Sequence, residues 1–169
     1  MARRWLPIVS TLLCWVIVSA SGAVTAQGDP VGTLDHAEFA SPTLGEEITY
    51  LVYRPHGYDR STDRYSVLYM LHGRGDNLTA WSHVVDLLDK MIAAGKIPPV
   101  IAIMPNAPWS QHASYYVDSQ HTGEPFPGKR VESAFINDLI PYVDASYRTI
   151  PDRSGRAVVG YSMTTSIRH

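Results

Sequence analysis

Arg156-Ala157-Val158-Val159-Gly160-Tyr161-Ser162-Met163 is a short apolar run that ends in glycine and places a serine two residues later. A buried strand reads this way when it turns sharply into a helix with a serine on the turn, the pattern G-x-S-x-G. Gly160, Ser162 and the apolar Met163 fit it. Thr164 stands where the second glycine belongs. After Ser162 the sequence contains no Asp or Glu, and its only histidine there is His169.

Upstream of this stretch, Tyr65–Leu71 and Val100–Met104 are nearly continuous apolar runs, as expected of strands buried on both faces. Glu47–Tyr53 alternates, with Ile48, Tyr50 and Val52 on one face and Thr49, Leu51 and Tyr53 on the other, which predicts a strand near a sheet edge. Trp81, Val84, Val85, Leu88, Met91 and Ile92 recur at helical spacing, with Asn77 or Thr79 as N-cap and Gly95 as stop. Phe135, Ile136, Leu139, Ile140 and Val143 predict a second helix, which Pro141 should kink. Residues 27–45 read as an extended lead-in, and 106–128 as a long loop. Strands alternating with helices imply βαβ units and a mainly parallel sheet. No internal repeat or linker divides the chain.

Composition narrows the function. A chain of 169 residues, 45% hydrophobic and 18% charged, makes one globular domain. The net charge of −2 gives no basic footprint for nucleic acid or an anionic membrane. Residues 1–26 read as a signal peptide: a basic Arg3-Arg4, an apolar Trp5–Val18, and small residues before a cut at Ala26–Gln27. That apolar run is shorter than the roughly 20 residues a spanning helix needs. The remaining domain, 27–169, is then secreted, extracellular or periplasmic, with no membrane association after cleavage. Cys14 is the only cysteine and lies in the signal, so the mature chain has no disulfide or thiolate metal site. The seven histidines show no ligand spacing, and no metal site is expected.

A serine hydroxyl needs a general base to take its proton and donors to hold the developing oxyanion. The turn projects Ser162 Oγ and leaves the Met163 N–H facing the same space. Leu71-His72-Gly73-Arg74-Gly75 follows a buried strand, where an His-Gly loop supplies a second donor in α/β-hydrolases. The Arg74 N–H is the candidate there, and an ordinary glycine-rich turn is the alternative. Trp109, Tyr115 and Tyr116 are candidate pocket residues for a sugar or aromatic acyl group; packing beneath the loop explains them equally well. Asp118 and Glu132 precede the serine and read as structural acceptors. Arg74-Gly75-Asp76 reads as part of the turn rather than an integrin ligand. Asn77-Leu78-Thr79 reads as a helix start rather than a glycosylation acceptor.

Taken together, Val67–Asn77 (VLYMLHGRGDN), Trp81, Tyr116-Val117-Asp118-Ser119, Glu132–Arg148 (ESAFINDLIPYVDASYR) and Arg156–Met163 (RAVVGYSM) resemble the esterase D family of α/β-hydrolases. That group includes feruloyl and acetylxylan esterases, S-formylglutathione hydrolases and mycolyltransferases. The resemblance covers about Glu47 to Met163. It implies the N-terminal part of an α/β-hydrolase fold, with Ser162 as nucleophile and the Arg74 and Met163 amides as the oxyanion hole. It also implies a small-molecule or polysaccharide ester as substrate, an acyl-serine intermediate and no cofactor. In this fold the acid and the base follow the serine, so the reading is of a truncated esterase, inactive as it stands. A non-catalytic secreted protein that binds carbohydrate or another ligand is the alternative.

Overall fold

The computed structural model of the protein describes residues 30–107, 116–125 and 127–162. Five strands form one mixed sheet: β1 (Thr33–Ser41), β2 (Glu46–Arg54), β3 (Ser66–Leu71), β4 (Val100–Pro105) and β5 (Arg156–Gly160), in the order β1-β2-β4-β3-β5. β4, β3 and β5 are parallel, whereas β1 and β2 run antiparallel to their neighbours. The parallel half is the one that alternates with helices in the sequence. The antiparallel half comprises β2, which pairs with β4, and β1, where the sequence predicts a lead-in rather than a strand. Thr33 through His36 and Glu38 are exposed, and only Phe39 and Ser41 are buried. Such an edge strand carries little hydrophobic alternation to read. What makes it a strand is its backbone pairing with β2, from Thr33↔Arg54 to Ser41↔Glu46.

The sheet is covered on both faces. Ile48, Tyr50, Val52, Val67, Tyr69, Leu71, Ile101 and Ile103 point to one face, beneath Val131, Ala134, Phe135, Leu139 and Val143. Leu51, Tyr53, Met70, Ala102 and Met104 point to the other, beneath Leu88 and half-buried Trp81, Val84, Val85 and Ile92. The alternation expected for β2 therefore sorts its side chains into two cores. Such a three-layer arrangement is what βαβ units build.

Two helical regions differ from plain α-helix. Residues 81–92 divide into a 3-10 helix, Leu78–Val84, and α1, Val85–Ala93. Asn77 caps the first by accepting from Thr79 N–H at 2.9 Å, and Gly95 takes the left-handed conformation (φ 64°) just past the second. The second region runs α2 (Val131–Ala134), a π turn (Phe135–Leu139) and α3 (Ile140–Ser146). Pro141 lacks the N–H for an interior helical bond. The wider π turn directly before it accommodates that gap, so Pro141 sits in the first turn of α3 instead of breaking a longer helix.

Asp138, on the π turn, ties this layer to the β1–β2 turn. Its Oδ2 accepts from Ser41 Oγ (2.5 Å) and Thr43 N–H (2.9 Å), and its Oδ1 from Thr43 Oγ1 (3.1 Å). Partial burial disfavours the charge, but these hydrogen bonds outweigh it and hold the carboxyl below its ordinary 3.8. A depressed folded value gives stability that is present in full above the unfolded value of 3.8 and is lost as pH falls from there through the lower folded value. Asp138→Asn should therefore cost about 1–2 kcal/mol at pH 7 and progressively less below pH 3.8, where the unfolded chain takes up a proton that folded Asp138 accepts only at lower pH. Urea melts at pH 7 and pH 3 check this; an equal gap at both would refute the assignment.

Candidate active site

The site is built where β3 and β5 end. They pair in register from Val67↔Arg156 to Leu71↔Gly160. β4 lies on one side of β3 and β5 on the other, so the chain changes direction across the sheet here. The loops leaving the carboxyl ends of neighbouring parallel strands then open a crevice at such a switch point. Residues 72–77 leave β3 on one side of it, and Tyr161-Ser162 leave β5 on the other.

Ser162 has φ 61°, the only positive value at a non-glycine among the described residues. This left-handed conformation costs a Cβ-bearing residue about 1–2 kcal/mol and turns the chain sharply just after β5. Ser162 is exposed. In the facing loop, Gly75 also has positive φ (82°), which lets the chain turn back on itself. Asp76 N–H donates to the Gly73 carbonyl at 3.2 Å and closes the turn.

His72 organises that loop from below. It is 1% exposed. Its Nε2 accepts from the Ala107 N–H at 3.1 Å, so the ring proton sits on Nδ1, which donates to the Gly73 carbonyl at 2.9 Å. One neutral tautomer thus joins the loop after β3 to the end of β4. With the Gly73 carbonyl held on one side, the planar trans peptide puts the Arg74 N–H on the opposite side. Arg74 itself is exposed. The structure places Arg74 and Ser162 on the loops that leave the neighbouring strands β3 and β5.

Of the candidate pocket residues, Tyr116 is buried. It is 2% exposed, its hydroxyl donates to the Pro105 carbonyl at 3.0 Å, and its ring stands edge-on to His72 at 5.6 Å. Burial drives its phenol pKa upward, so it stays a neutral donor. It packs against His72 and lines a small recess with Ile48, Phe135 and Leu139. Trp109, Tyr115 and Met163 lie outside the described residues, as do His169 and residues 1–26. Asp118 accepts from Ser133 N–H at 2.9 Å and from Ser133 Oγ, a structural role at the start of the helical layer. Among the described residues no cluster of His, Cys, Asp or Glu has a metal-binding arrangement, and no helix is long and apolar enough to cross a membrane.

Three residues around the crevice escaped the sequence reading: His72 as a support, Tyr161 and Asp76. The Tyr161 hydroxyl donates to Asp76 Oδ2, and its ring lies against Gly73 and edge-on to Trp81 at 5.5 Å. Trp81 Nε1–H in turn donates to the Leu71 carbonyl at 3.1 Å. A hint for His72 existed, since a polar residue directly follows a buried strand. Nothing local points from Tyr161 to a residue 85 positions earlier.

Known proteins resemble this chain in sequence and fold. The family described as "Putative esterase" matches residues 41–167. An endo-1,4-beta-xylanase/feruloyl esterase of Xylanibacter ruminicola is 33% identical over 139 residues, 78% of this chain and 18% of that protein. Esterase Rv1288 of Mycobacterium tuberculosis is 32% identical over 81% of this chain and 28% of its own length. A ferulic acid esterase structure superposes with a TM-score of 0.68 at 28% identity, over 79% of this chain and 50% of that one. An S-formylglutathione hydrolase from Agrobacterium tumefaciens shares the fold, with a TM-score of 0.61 at 18% identity, over 81% of this chain and 51% of that one. The chain thus spans about half the length of these solved structures and less than a third of the two sequence relatives. Its mixed sheet, its flanking helices and the match from residue 41 to residue 167 place it in one family: the chain belongs to the esterases of the α/β-hydrolase fold.

Proposed function

We propose that this chain carries the nucleophile and oxyanion half of a secreted serine esterase, with residues 1–26 as its signal peptide. Ser162 Oγ attacks the carbonyl carbon of an ester while its proton passes to a general base. The carbonyl oxygen becomes an oxyanion held by the Arg74 and Met163 amides. The tetrahedral intermediate then collapses, the carbon–oxygen bond to the alcohol breaks, and the alkoxide leaves with the proton from the base. Water, or a second alcohol, repeats the sequence on the acyl-serine and frees Ser162. No cofactor enters these steps. The feruloyl esterase relatives favour a polysaccharide-linked or small-molecule ester as substrate.

The observation that carries the reading is the left-handed Ser162 at the end of β5, across from the glycine loop after β3. The acid and base follow the serine in this fold, and residues 163–169 contain His169 and no carboxylate. The 169-residue polypeptide should therefore hydrolyse p-nitrophenyl acetate no faster than its Ser162→Ala variant. With imidazole supplied as an external base, a fluorophosphonate should label Ser162 at least about tenfold faster than any other serine, as peptide mapping by mass spectrometry reads. Labelling spread over several serines, or unchanged in Ser162→Ala, would defeat the assignment. Binding of a xylo-oligosaccharide without any labelling would favour a ligand-binding role instead.

A further inference from the structure

We propose that Tyr161 is a positioning residue: its hydrogen bond to Asp76 and the seat of its ring on Gly73 set the distance between the nucleophile turn and the oxyanion loop. The inference rests on the assignment of Ser162 as nucleophile and names what holds its two flanking loops together.

The argument starts from where the sheet stops. Register between β3 and β5 is enforced by backbone pairing only up to Leu71↔Gly160. The groups assigned to the chemistry lie beyond that point, on two separate loops. Ser162 and the Met163 amide follow β5, and the Arg74 amide follows β3. A nucleophile and two donors work together only if their spacing is held to a fraction of an ångström, and a misplacement of about 1 Å can cost 10²-fold in rate. Some contact past the last ladder bond must therefore set that spacing.

Tyr161 makes that contact in three places. Its hydroxyl donates to Asp76 Oδ2, at the far end of the oxyanion loop. Its ring fills the space over Gly73: a Cβ on residue 73 would stand 2.5 Å from Tyr161 Cε2. Its outer side meets the ring of Trp81, which is itself anchored to the Leu71 carbonyl. The phenol thus brackets Arg74 between Gly73 and Asp76, and it belongs to the residue directly before Ser162. The Asp76 carboxylate also raises the Tyr161 pKa, as expected of a carboxylate that accepts from the phenol. His72 holds the same loop from the core side, through the Gly73 carbonyl. The loop is therefore gripped from below by an imidazole and from the front by a phenol.

The test compares Tyr161→Phe, Asp76→Ala, Asp76→Asn and the double variant Tyr161→Phe/Asp76→Ala in the 169-residue polypeptide. One readout is the imidazole-assisted phosphonylation of Ser162, separated into its saturating rate and its half-saturating probe concentration. The other is hydrogen exchange at the Asp76 amide, which reports closure of the loop onto the Gly73 carbonyl. Tyr161→Phe and Asp76→Ala should each lower the saturating rate about tenfold with little change in half-saturation, and each should speed Asp76 exchange. The double variant should be no worse than either single one. Asp76→Asn keeps an acceptor oxygen and should recover most of the rate. Additive losses, or unchanged rates and exchange in the single variants, would overturn the proposal. If wild type is not labelled at all, the nucleophile assignment fails, and the exchange data alone decide whether Tyr161 holds the loop.

Discussion

His72→Ala should destabilise the protein by at least about 3 kcal/mol, a drop in melting temperature of roughly 6–12 °C for a chain of this size. Two costs add. Removing Nε2 strands the Ala107 N–H, donated to it at 3.1 Å in a fully buried setting, and an unpaired buried donor costs about 1–3 kcal/mol. Removing the ring also opens a cavity against Tyr116, whose edge packs on it at 5.6 Å, and large-to-small core changes commonly cost about 2–5 kcal/mol. His72→Phe separates the terms, because it refills the space and leaves only the lost hydrogen bonds to Ala107 N–H and the Gly73 carbonyl. It should fall between wild type and His72→Ala in thermal melts followed by circular dichroism. A His72→Phe protein as stable as wild type would mean that the imidazole fills space and no more. Both variants should also loosen the Gly73 carbonyl, since Nδ1–H no longer holds it.

The second large effect concerns association. The 169-residue polypeptide should form oligomers or aggregates at concentrations on the order of 10 μM, and Val158→Lys should shift it toward monomer. The two outer strands explain why. β1 ends the sheet on one side with Asp35, His36 and Glu38, charges and polar groups that discourage a further strand. β5 ends it on the other side with Ala157 exposed and Val158 44% exposed, and only its Arg156 is charged. Its backbone pairs with β3 alone among the described strands. Parallel strands are normally covered on both faces and flanked by neighbours, so this edge is a template for another strand. Exposed Ile136, Tyr142 and Tyr161 add apolar surface elsewhere. Because Val158 is already partly in water, lysine there should cost little stability while placing a charge on the edge. Light scattering across a dilution series measures the outcome. A monodisperse wild-type monomer at that concentration would refute the prediction.

Much of the molecule is legible along the chain, for a local reason. Val67–Leu71 and Ile101–Met104 are apolar without interruption because both faces of their strands are buried. The two faces of β2 separate in sequence as they do in space, since side chains alternate at every residue. Gly160-Tyr161-Ser162 marks the serine turn, and Asn77 and Gly95 mark the ends of a helical region, because turns and caps depend on a few adjacent residues. The fold class and the position of Ser162 follow from such short-range signals.

What the sequence determined by itself is therefore the set of buried elements, their type, and the residue that stands at the turn after the last strand. Tertiary structure alone decided what those elements meet. β1 became a strand through its pairing with β2, although its exposed side chains carry almost no alternation. The His72 tautomer was settled by an amide 35 positions away, and the hydrogen-bond partner of Tyr161 is a carboxylate 85 positions away. The physical reason is that hydrophobic periodicity records which side of an element faces the core. A hydrogen bond between loops depends on where two distant segments are brought together, and Ser162 comes to face the glycine loop only because the ends of β3 and β5 meet.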